Sequence, residues 1–311
     1  MAVSRKVARE IPEGANVDRW PAPDGWMLRR FHWPSAGGRG SILFQTGRGD
    51  VFEKYLESFA HWHAQGWTIT AFDWRGQGGS GRLTPKANCG HIGDFAAYIA
   101  DLRAFAAQWV AETPGPHVVM GHSMGGHLVL RGLVEGAIAP DAAVLVAPML
   151  GVRSALGGLA APMARLLSRL GDPRRPAWKG NEKPYTTETR ANLLTHDPDR
   201  YADELWWQAQ DRALLTGPPS WQWLVEAFRS MADLEAGSIE AVRTPLLLLV
   251  AEADGLVDAR TALRIAPRLP DAELLQFGPE SAHEILRGAD PVRDRALGAI
   301  EHFLDQRAPR R

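Results

Sequence analysis

The chain has 311 residues, of which 45% are hydrophobic and 23% are charged, and its formal net charge is -1. That length suits one core domain with an inserted subdomain, and the near-neutral charge gives no long-range attraction to nucleic acid or to anionic lipid. The single cysteine excludes an internal disulfide and a cysteine-based zinc site, and without an apolar run of signal-peptide or membrane-span length we expect a cytoplasmic protein.

The first half of the chain alternates predicted strands with predicted helices. Residues 1–23 are polar and rich in Pro and Gly, which predicts a peripheral arm. Strands are predicted at 25–33 (an edge strand), 41–47, 66–74, 117–121 and 142–148. Amphipathic helices are predicted between them at 52–62, at 92–109 and from just after Ser123.

The pattern changes after residue 148. Residues 149–240 contain helical segments, loops and a concentration of tryptophan. Predicted strands return at 244–254 and 272–278, with a helix at 257–269 and a last helix capped by Asp290. Strands that alternate with helices predict an α/β fold whose mostly parallel central sheet is covered by helices on both faces. We therefore divide the chain into a core, residues 1–148 and 241–311, and an inserted helical cap, residues 149–240.

A G-x-S-x-G motif, Gly121-His122-Ser123-Met124-Gly125, lies between a predicted strand and a predicted helix. So tight a reversal strains the backbone of the serine and leaves no room for side chains two positions away, which explains both glycines. The serine hydroxyl then projects at the N-terminus of the helix, whose partial positive charge favours a developing anion. We predict that Ser123 is a nucleophile rather than an incidental residue of a glycine-rich turn.

A serine hydroxyl is a weak nucleophile at neutral pH and needs a general base. The chain has ten histidines, and position must choose among them, since active-site groups gather beyond the carboxyl ends of parallel strands. His283 follows the predicted strand 272–278 by five residues. In contrast, His122 is next to the serine and is expected to point away from it, and His127 sits in the helix. We therefore predict that His283 is the base.

The acid that orients this histidine should also lie at the carboxyl end of a strand. Asp254 ends a predicted strand and begins a turn. Its competitors are Glu252, which is still near the strand, and Asp258, which is in or near the next helix. The resulting chain order of Ser123, Asp254 and His283 is the order expected for this type of sheet.

Acyl transfer also needs N–H donors for the oxyanion of the tetrahedral intermediate. We expect one donor to be the backbone N–H of Met124, the residue after the serine, and the other to be that of Arg48. Arg48 lies in the loop after strand 41–47 and belongs to an Arg-Gly-Asp tripeptide typical of extracellular adhesion proteins. Because the chain shows no export signal, we interpret the tripeptide as coincidental and its glycine as part of a turn.

The segments TGRGDVFEKY, FDWRGQGGSGR and GHSMGG, and the pair AEADGLVD with SAHEIL, resemble motifs of the α/β-hydrolase superfamily, and more narrowly of its lysophospholipase and monoacylglycerol lipase branch. The cap segment TGPPSWQWLVEAFR resembles the same branch. The resemblance implies the α/β-hydrolase fold and a serine hydrolase that cleaves carboxylic esters of fatty acyl chains. It implies Ser123, Asp254 and His283 as catalytic residues, Arg48 and Met124 as oxyanion donors, and no metal or organic cofactor. Thr46 stands where many relatives have a histidine that supports the oxyanion loop.

Several other activities would use the same serine. A general carboxylesterase, a thioesterase or an acyltransferase is therefore an alternative to the lysophospholipase or monoacylglycerol lipase. A non-catalytic binding protein that displays the Arg-Gly-Asp tripeptide is a remote alternative, because such a protein has no chemical reason to keep all three catalytic residues. The expected partner is a small-molecule lipid ester, and no nucleic acid is expected. The sequence carries no signal for an oligomeric state.

The predicted cap contains large apolar side chains: Trp178, Trp206, Trp207, Trp221, Trp223, Met149 and Met163. Helical spacing favours packing within the cap for any single one of them, but together they predict an apolar cover over the serine. Each methylene buried there would contribute roughly 0.8 kcal/mol, so the cover should select acyl chains by length. The apolar segment 156–171 is also a candidate for transient contact with a membrane surface, although packing within the cap is the preferred interpretation.

Three further features have simpler interpretations than a functional site. Residues 76–81 match the dinucleotide pattern G-x-G-x-x-G, but Pro85 follows closely and no helix opens there, so we predict a loop near the site. Asp73, at the end of a strand, is expected to be a buried acceptor in a turn. Cys89 has no base partner in the sequence around it and is expected to be an ordinary thiol.

Overall fold

The computed structural model describes residues 8–86, 89–180 and 189–310. Its strands are β1 (Asn16–Pro21), β2 (Met27–Trp33), β3 (Gly40–Gln45), β4 (Trp67–Phe72), β5 (His117–His122), β6 (Ala142–Val146), β7 (Leu246–Ala251) and β8 (Ala272–Phe277). Within the described ranges they form one eight-stranded sheet in the order β1-β2-β4-β3-β5-β6-β7-β8. β1 and β2 pair antiparallel at one edge, and all the pairs from β4 to β8 are parallel.

Helices cover both faces of this sheet. They are α1 (Leu56–Ala64), α2 (Ala96–Glu112), α3 (Met124–Val134), α4 (Ala160–Arg169), α5 (Arg190–Leu194), α6 (Pro198–Gln210), α7 (Trp221–Ala236), α8 (Ala259–Ile265) and α9 (Asp290–Arg307). Apolar side chains of α2, α3, α7 and α8 pack on one face, and those of α1 and α9 pack on the other. The predicted α/β architecture with a mostly parallel sheet is thus confirmed.

The central strands are apolar along their whole length because the sheet is covered on both sides. Every residue of β3, β4 and β7 is buried, as expected for a parallel sheet between two layers of helices. This is why continuous apolar runs, rather than alternating ones, located these strands in the sequence. Their carboxyl ends meet at one edge of the sheet, and the loops that follow them form the candidate site.

The prediction of a peripheral arm over residues 1–23 was wrong for residues 16–21. They form β1, which pairs with β2 from Asn16 opposite His32 to Pro21 opposite Met27. Trp20 is buried, but most side chains of this edge strand are exposed, so the sequence needs no apolar alternation. Pro21 is tolerated because it stands at the end of an edge strand.

The last helix also differs slightly from expectation. Asp290 was predicted to cap it, but α9 begins at Asp290 itself and Ala289 occupies the position before it. The Asp290 carboxylate accepts a hydrogen bond from Arg200 at 2.7 Å instead. Asp290 is thus the first residue of α9 rather than its N-cap, and it forms an ion pair with a neighbouring segment.

Between β6 and β7, every regular element in the described residues is helical, and this segment carries α4, α5, α6 and α7. We propose that residues 149–240 are the inserted cap and that residues 1–148 and 241–311 are the core. None of the helices in the described residues combines the length and the apolar character needed to cross a bilayer.

Candidate active site

Ser123 occupies the turn between β5 and α3 with φ 53° and ψ -117°. Positive φ is unfavourable for a residue with a side chain, so surrounding bonds must hold it there. Its N–H donates to the carbonyl of Val146 at 2.9 Å, and its carbonyl accepts from the N–H of Met149, also at 2.9 Å. The end of β6 and the residues after it therefore fix both main-chain groups of the serine.

The two glycines of the motif are required by close backbone contacts. A Cβ on Gly121 would lie 2.6 Å from the backbone of Gly125, across the turn. A Cβ on Gly125 would lie 2.4 Å from the carbonyl oxygen of Gln45 at the end of β3. Neither distance is possible for a real side chain. The sequence anticipated the first collision, whereas the second comes from a neighbouring strand and not from the turn itself.

His283 and Asp254 are in direct contact at the carboxyl edge of the sheet. The Nδ1 atom of His283 lies 2.5 Å from Oδ2 of Asp254. The other carboxylate oxygen, Oδ1, accepts hydrogen bonds from the main-chain N–H groups of Leu256 at 2.7 Å and Val257 at 3.0 Å. Both side chains are buried. These bonds fix the carboxylate in one orientation, and the carboxylate in turn fixes the imidazole.

The two groups shift one another's pKa. Burial disfavours a charged imidazole, but the neighbouring Asp254 carboxylate outweighs it and raises the pKa of His283 above its ordinary value. Burial likewise disfavours the carboxylate, but His283 and the two backbone N–H groups lower the pKa of Asp254. This pair is therefore suited to stabilising an imidazolium that forms during a reaction.

The alternative acids lie elsewhere. Glu252 is exposed. Asp258 accepts a hydrogen bond from the N–H of Arg260 at 3.1 Å and caps α8. Of the three acids considered from the sequence, Asp254 is the one that contacts His283.

Ser123 and His283 open onto the same cavity, which has a volume of about 460 Å³. The Ser123 hydroxyl forms no hydrogen bond with any of the described residues, including His283; contacts between nucleophile and base are often looser in unliganded hydrolases. The rest of the wall is mostly apolar and includes Met149, Leu156, Met163, Trp178, Trp221 and Trp223. The site thus places a serine and a histidine in the wall of a mostly apolar chamber.

Two of the predicted cover residues lie elsewhere. Trp206 and Trp207 contact each other, with ring centroids 4.9 Å apart. The indole N–H of Trp207 donates to the carbonyl of Ala8 at 2.8 Å. These two residues therefore pack, as helical spacing favours for any single tryptophan of the cap, and they are not part of the cover, because their position on α6 turns them toward the N-terminal segment.

The loop after β3 lies beside the serine. A Cβ built on Gly47 would approach the Ser123 Cβ to 3.1 Å, and Arg48 lines the cavity. The guanidinium of Arg48 donates to the carbonyl of Gly217 at 3.0 Å. Met124 is the first residue of α3, so its N–H is one of the amide groups that a helix leaves without an intrahelical acceptor. Both predicted oxyanion donors therefore belong to segments that border Ser123.

Asp50 supports this loop from below. One of its oxygens, Oδ2, accepts a hydrogen bond from the N–H of Gly47 at 3.2 Å, and the N–H of Gly49 donates to Oε1 of Gln77 at 2.5 Å. The indole of Trp74 donates to the carbonyl of Thr46 at 2.9 Å. Asp50 is only 5% exposed, so the Arg-Gly-Asp tripeptide is part of the interior and is not displayed for recognition.

Sequence reasoning missed several polar residues beneath the site. His122 was expected to point away, yet it lines the cavity, and its Nδ1 lies 2.8 Å from the hydroxyl of Tyr55 and 3.2 Å from Oδ2 of Asp50. Burial opposes ionisation of Asp50, but Lys54 and His122 hold the pKa of that carboxyl well below its usual range. The sequence offered one signal for this cluster. A lysine stands between Phe52 and Tyr55, in a segment whose apolar residues have the spacing of a buried helix.

The simpler interpretations of three other features, the loop 76–81, Asp73 and Cys89, are confirmed. Residues Gly78–Ser80 form a short 3₁₀ turn rather than the start of an α-helix. Asp73 is buried and accepts the N–H of Gly79 at 2.8 Å. Burial raises the pKa of Cys89 to about 11, which makes it a weakly reactive thiol. In the described part of the chain, no group of three or more His, Cys, Asp or Glu side chains is arranged to hold a metal ion.

Comparison with known proteins gives consistent matches. The family model described as "Serine aminopeptidase, S33" matches residues 37–290. Lysophospholipase L2 of Escherichia coli (strain K12) is 32% identical over 279 residues, covering 85% of this chain and 80% of that protein. A soluble variant of monoglyceride lipase from Saccharomyces cerevisiae, solved with a substrate analog, has a TM-score of 0.75 at 19% identity and covers 97% of both chains. The monoacylglycerol lipase of Paleococcus ferrophilus has a TM-score of 0.71 at 20% identity, covering 90% of this chain and 99% of that one. These two structural likenesses show a shared fold.

Proposed function

This chain belongs to the hydrolase family described as serine aminopeptidase S33, and we propose that it hydrolyses carboxylic esters of fatty acyl chains. It has the α/β-hydrolase fold. The preferred substrate is a lysophospholipid and the alternative is a monoacylglycerol. The similarity to lysophospholipase L2 over most of both chains supports this choice.

In the proposed reaction, His283 takes the proton of the Ser123 hydroxyl as the serine oxygen attacks the ester carbonyl. The backbone N–H groups of Met124 and Arg48 donate to the resulting oxyanion, while Asp254 stabilises the imidazolium. His283 then gives its proton to the departing alcohol, which leaves an acyl-enzyme. A water molecule deprotonated by His283 attacks that acyl group, and the fatty acid is released as the serine recovers its proton. Each step uses only these side chains, main-chain groups and water.

One observation carries the proposal: a serine with positive φ and a histidine bonded to a carboxylate open together onto an apolar cavity. An acyl chain in that cavity gains roughly 0.8 kcal/mol per buried methylene, whereas a neutral hydrogen bond nets about 1 kcal/mol. The chain therefore contributes more to binding than any single polar contact with the head of the substrate.

The charges around the cavity favour an ester over the peptide that the family description suggests. An aminopeptidase substrate carries a cationic amino group. Binding that group favourably requires a carboxylate that is not already paired with another cation. The cavity-lining carboxylates Asp50 and Glu284 are each 2.5 Å from the ammonium of Lys54. They are therefore already neutralised, and an amino terminus would gain little from them.

Arg153 supports the choice of a phosphate-bearing head. It lines the cavity and is exposed, and its guanidinium donates to the carbonyl of Asp254 at 2.8 Å. That places a cation in the wall of the cavity, close to the proposed acid. Arg190 also lines the cavity, but it is bound to Glu204 at 2.6 Å. A phosphate in the leaving alcohol would therefore meet Arg153.

The test is a substrate panel with purified protein: a lysophospholipid, a monoacylglycerol of the same acyl chain, p-nitrophenyl esters and an aminoacyl p-nitroanilide. We expect turnover of the esters and little of the anilide. Ser123→Ala should abolish ester turnover while keeping the thermal melt, whereas Ser168→Ala, which changes a partly exposed serine on α4, should behave as wild type. Arg153→Gln should raise the KM for the lysophospholipid alone. Full activity in Ser123→Ala would refute the mechanism.

The proposal also includes transient contact with a lipid surface through α4 and the residues around it. Leu159, Leu166 and Leu170 are 67%, 53% and 59% exposed, and they follow one another at helical spacing. Arg165 and Arg169 lie on the same helix, and residues 149–171 contain no acidic side chain. An apolar stripe with basic neighbours is the pattern of a helix that lies in the interface of an anionic membrane. The cytoplasmic location expected from the sequence stays a prediction.

A further inference from the structure

Lys54 is buried beneath the site and lies among three carboxylates. Its ammonium nitrogen is 2.5 Å from Oδ1 of Asp50, 2.5 Å from Oε1 of Glu284 and 3.0 Å from Oε2 of Glu204. The exposed fraction of the lysine side chain is 1%, and those of Glu204 and Glu284 are also 1%. A charge so fully removed from water is stable only when it is paired, and here one cation serves three partners.

Two arginines complete the cluster. Arg287 pairs with Glu284 and lies 3.6 Å from Glu204, while Arg190 lies 2.6 Å from Glu204. Three carboxylates, Asp50, Glu204 and Glu284, thus face three cations, Lys54, Arg190 and Arg287, and the cluster is neutral as a whole. Burial disfavours ionised Glu204, but these cations lower its pKa to about 2, so the carboxylate is charged at neutral pH.

The three carboxylates come from three different parts of the site. Asp50 holds the N–H of Gly47 in the oxyanion loop. Glu284 is the residue after His283. Glu204 lies on α6, in the proposed cap, and α6 packs against the 3₁₀ turn Phe52–Tyr55 that carries Lys54. Lys54 therefore joins three parts of the protein: the oxyanion loop, the loop that carries His283 and the cap.

We propose that Lys54 is a positioning residue: it orients the oxyanion loop through Asp50 and makes that orientation depend on the docking of α6 through Glu204. When α6 is docked, Glu204 shares the ammonium and holds Lys54 where it reaches Asp50. Asp50 then fixes Gly47, and with it the N–H of Arg48, the next residue. This inference rests on the ester hydrolysis proposed above, because the oxyanion loop has a role only in that reaction.

The test uses three variants of the full chain: Lys54→Met, Glu204→Gln and the double variant. Lys54→Met leaves three carboxylates with two cations, so it is expected to lower the melting temperature. The double variant restores two carboxylates with two cations and should recover much of that stability. Its Asp50 still lacks the lysine, however, so its kcat should stay low. Asp203→Asn, which removes a partly exposed carboxylate next to Glu204 that pairs with Arg9, is the matched control.

Two readouts separate positioning from stability: kcat and KM on a p-nitrophenyl ester, and the Ki of a trifluoromethyl ketone whose adduct with Ser123 places an oxyanion in the same loop. Complete loss of one oxyanion donor lowers kcat by about 10²–10³-fold. For a displaced donor we expect a smaller loss of kcat, roughly 10–100-fold, in Lys54→Met and in the double variant. Ki should rise by a similar factor, while KM changes little, because neither Lys54 nor Glu204 lines the cavity.

Glu204→Gln should show the same changes to a lesser degree, and Asp203→Asn should match the wild type. The inference is overturned if the double variant regains wild-type kcat together with stability, since charge balance alone would then explain the cluster. It is equally overturned if Lys54→Met keeps wild-type kcat and Ki. Turnover by the wild-type protein on the same ester tests the proposed function separately.

Discussion

Replacing Asp254 with asparagine changes one atom of the proposed triad and keeps its shape. The structure dictates how the new amide must lie. Oδ1 of Asp254 accepts two main-chain N–H groups, from Leu256 and Val257. If the amide nitrogen took that position, it would face these two buried N–H donors and leave both without an acceptor. Each unpaired buried donor costs about 1–3 kcal/mol of folding free energy. The amide oxygen therefore keeps the Oδ1 position, and the NH₂ group turns toward His283.

That orientation forces the wrong tautomer on the histidine. The Nδ1 atom of His283, 2.5 Å from the present carboxylate, would have to accept a hydrogen bond from the asparagine. The ring proton then moves to Nε2, the atom that should take the proton of Ser123. The equivalent change in a serine protease triad lowers kcat about 10⁴-fold, which is about 5.4 kcal/mol at 1.36 kcal/mol per tenfold. We expect a loss of this order, with no change in the melting temperature beyond a few degrees.

The assay is the pH dependence of kcat/KM on a p-nitrophenyl ester. The neutral histidine is the active base, so activity falls as pH drops through its pKa. In the wild-type protein, the Asp254 carboxylate raises the pKa of His283, although burial alone would lower it. Without the carboxylate, burial lowers that pKa, so the acid limb should move to lower pH. Wild-type kcat in Asp254→Asn, or an acid limb that does not move, would refute the reasoning.

Three further predictions follow from the cavity, the turn and α4. Lengthening a p-nitrophenyl ester should raise kcat/KM by up to fourfold, or roughly 0.8 kcal/mol, per methylene until the cavity is filled; a flat profile from acetate to palmitate would leave a general esterase. Gly125→Ala should fail to give a folded, active protein, because its Cβ would lie 2.4 Å from a β3 carbonyl, whereas Gly298→Ala, which meets no atom within 4 Å, should raise the melting temperature. Leu159→Ser with Leu166→Ser should weaken sedimentation with anionic vesicles, and Leu205→Ser, an exposed leucine on α6, should leave it unchanged; equal binding by both would exclude α4 as the contact.

The sequence predicted the core of the sheet because its central strands are buried on both faces and therefore read as continuous apolar runs. β1 escaped prediction for the opposite reason. It lies at the edge, most of its side chains are exposed, and its place is fixed by main-chain bonds to β2 and by an ion pair between Asp18 and Arg30, 2.6 Å apart. Pairing of that kind leaves no periodic signal in one strand alone.

The candidate site divides in the same way. Ser123, Asp254 and His283 were predicted because each stands at a strand end, and strand ends are visible in the sequence. The cover over the serine was predicted only in part: Trp221 and Trp223 line the cavity, whereas Trp206 and Trp207 do not. Composition shows that the cap is apolar, but it does not show which of its helices meet the cavity. No residue of α6 lines the cavity, because the packing of the helices is set by distant contacts.

The predicted oxyanion loop is supported by contacts that are distant in the sequence. Many relatives were expected to hold this loop with a histidine where this chain has Thr46, whose buried hydroxyl has no hydrogen-bond partner among the described residues. Its support comes instead from Asp50, which binds Gly47 and is itself bound by Lys54. Because a buried carboxylate needs a cation, and Lys54 also lies 3.0 Å from Glu204 on α6, the proposed role of Lys54 makes the position of this loop depend on the docking of α6. In the Thr46→His background, Glu204→Gln should therefore lower kcat less than it does in the wild type. An equal loss of kcat in both backgrounds would show that the histidine cannot take over the role of Asp50.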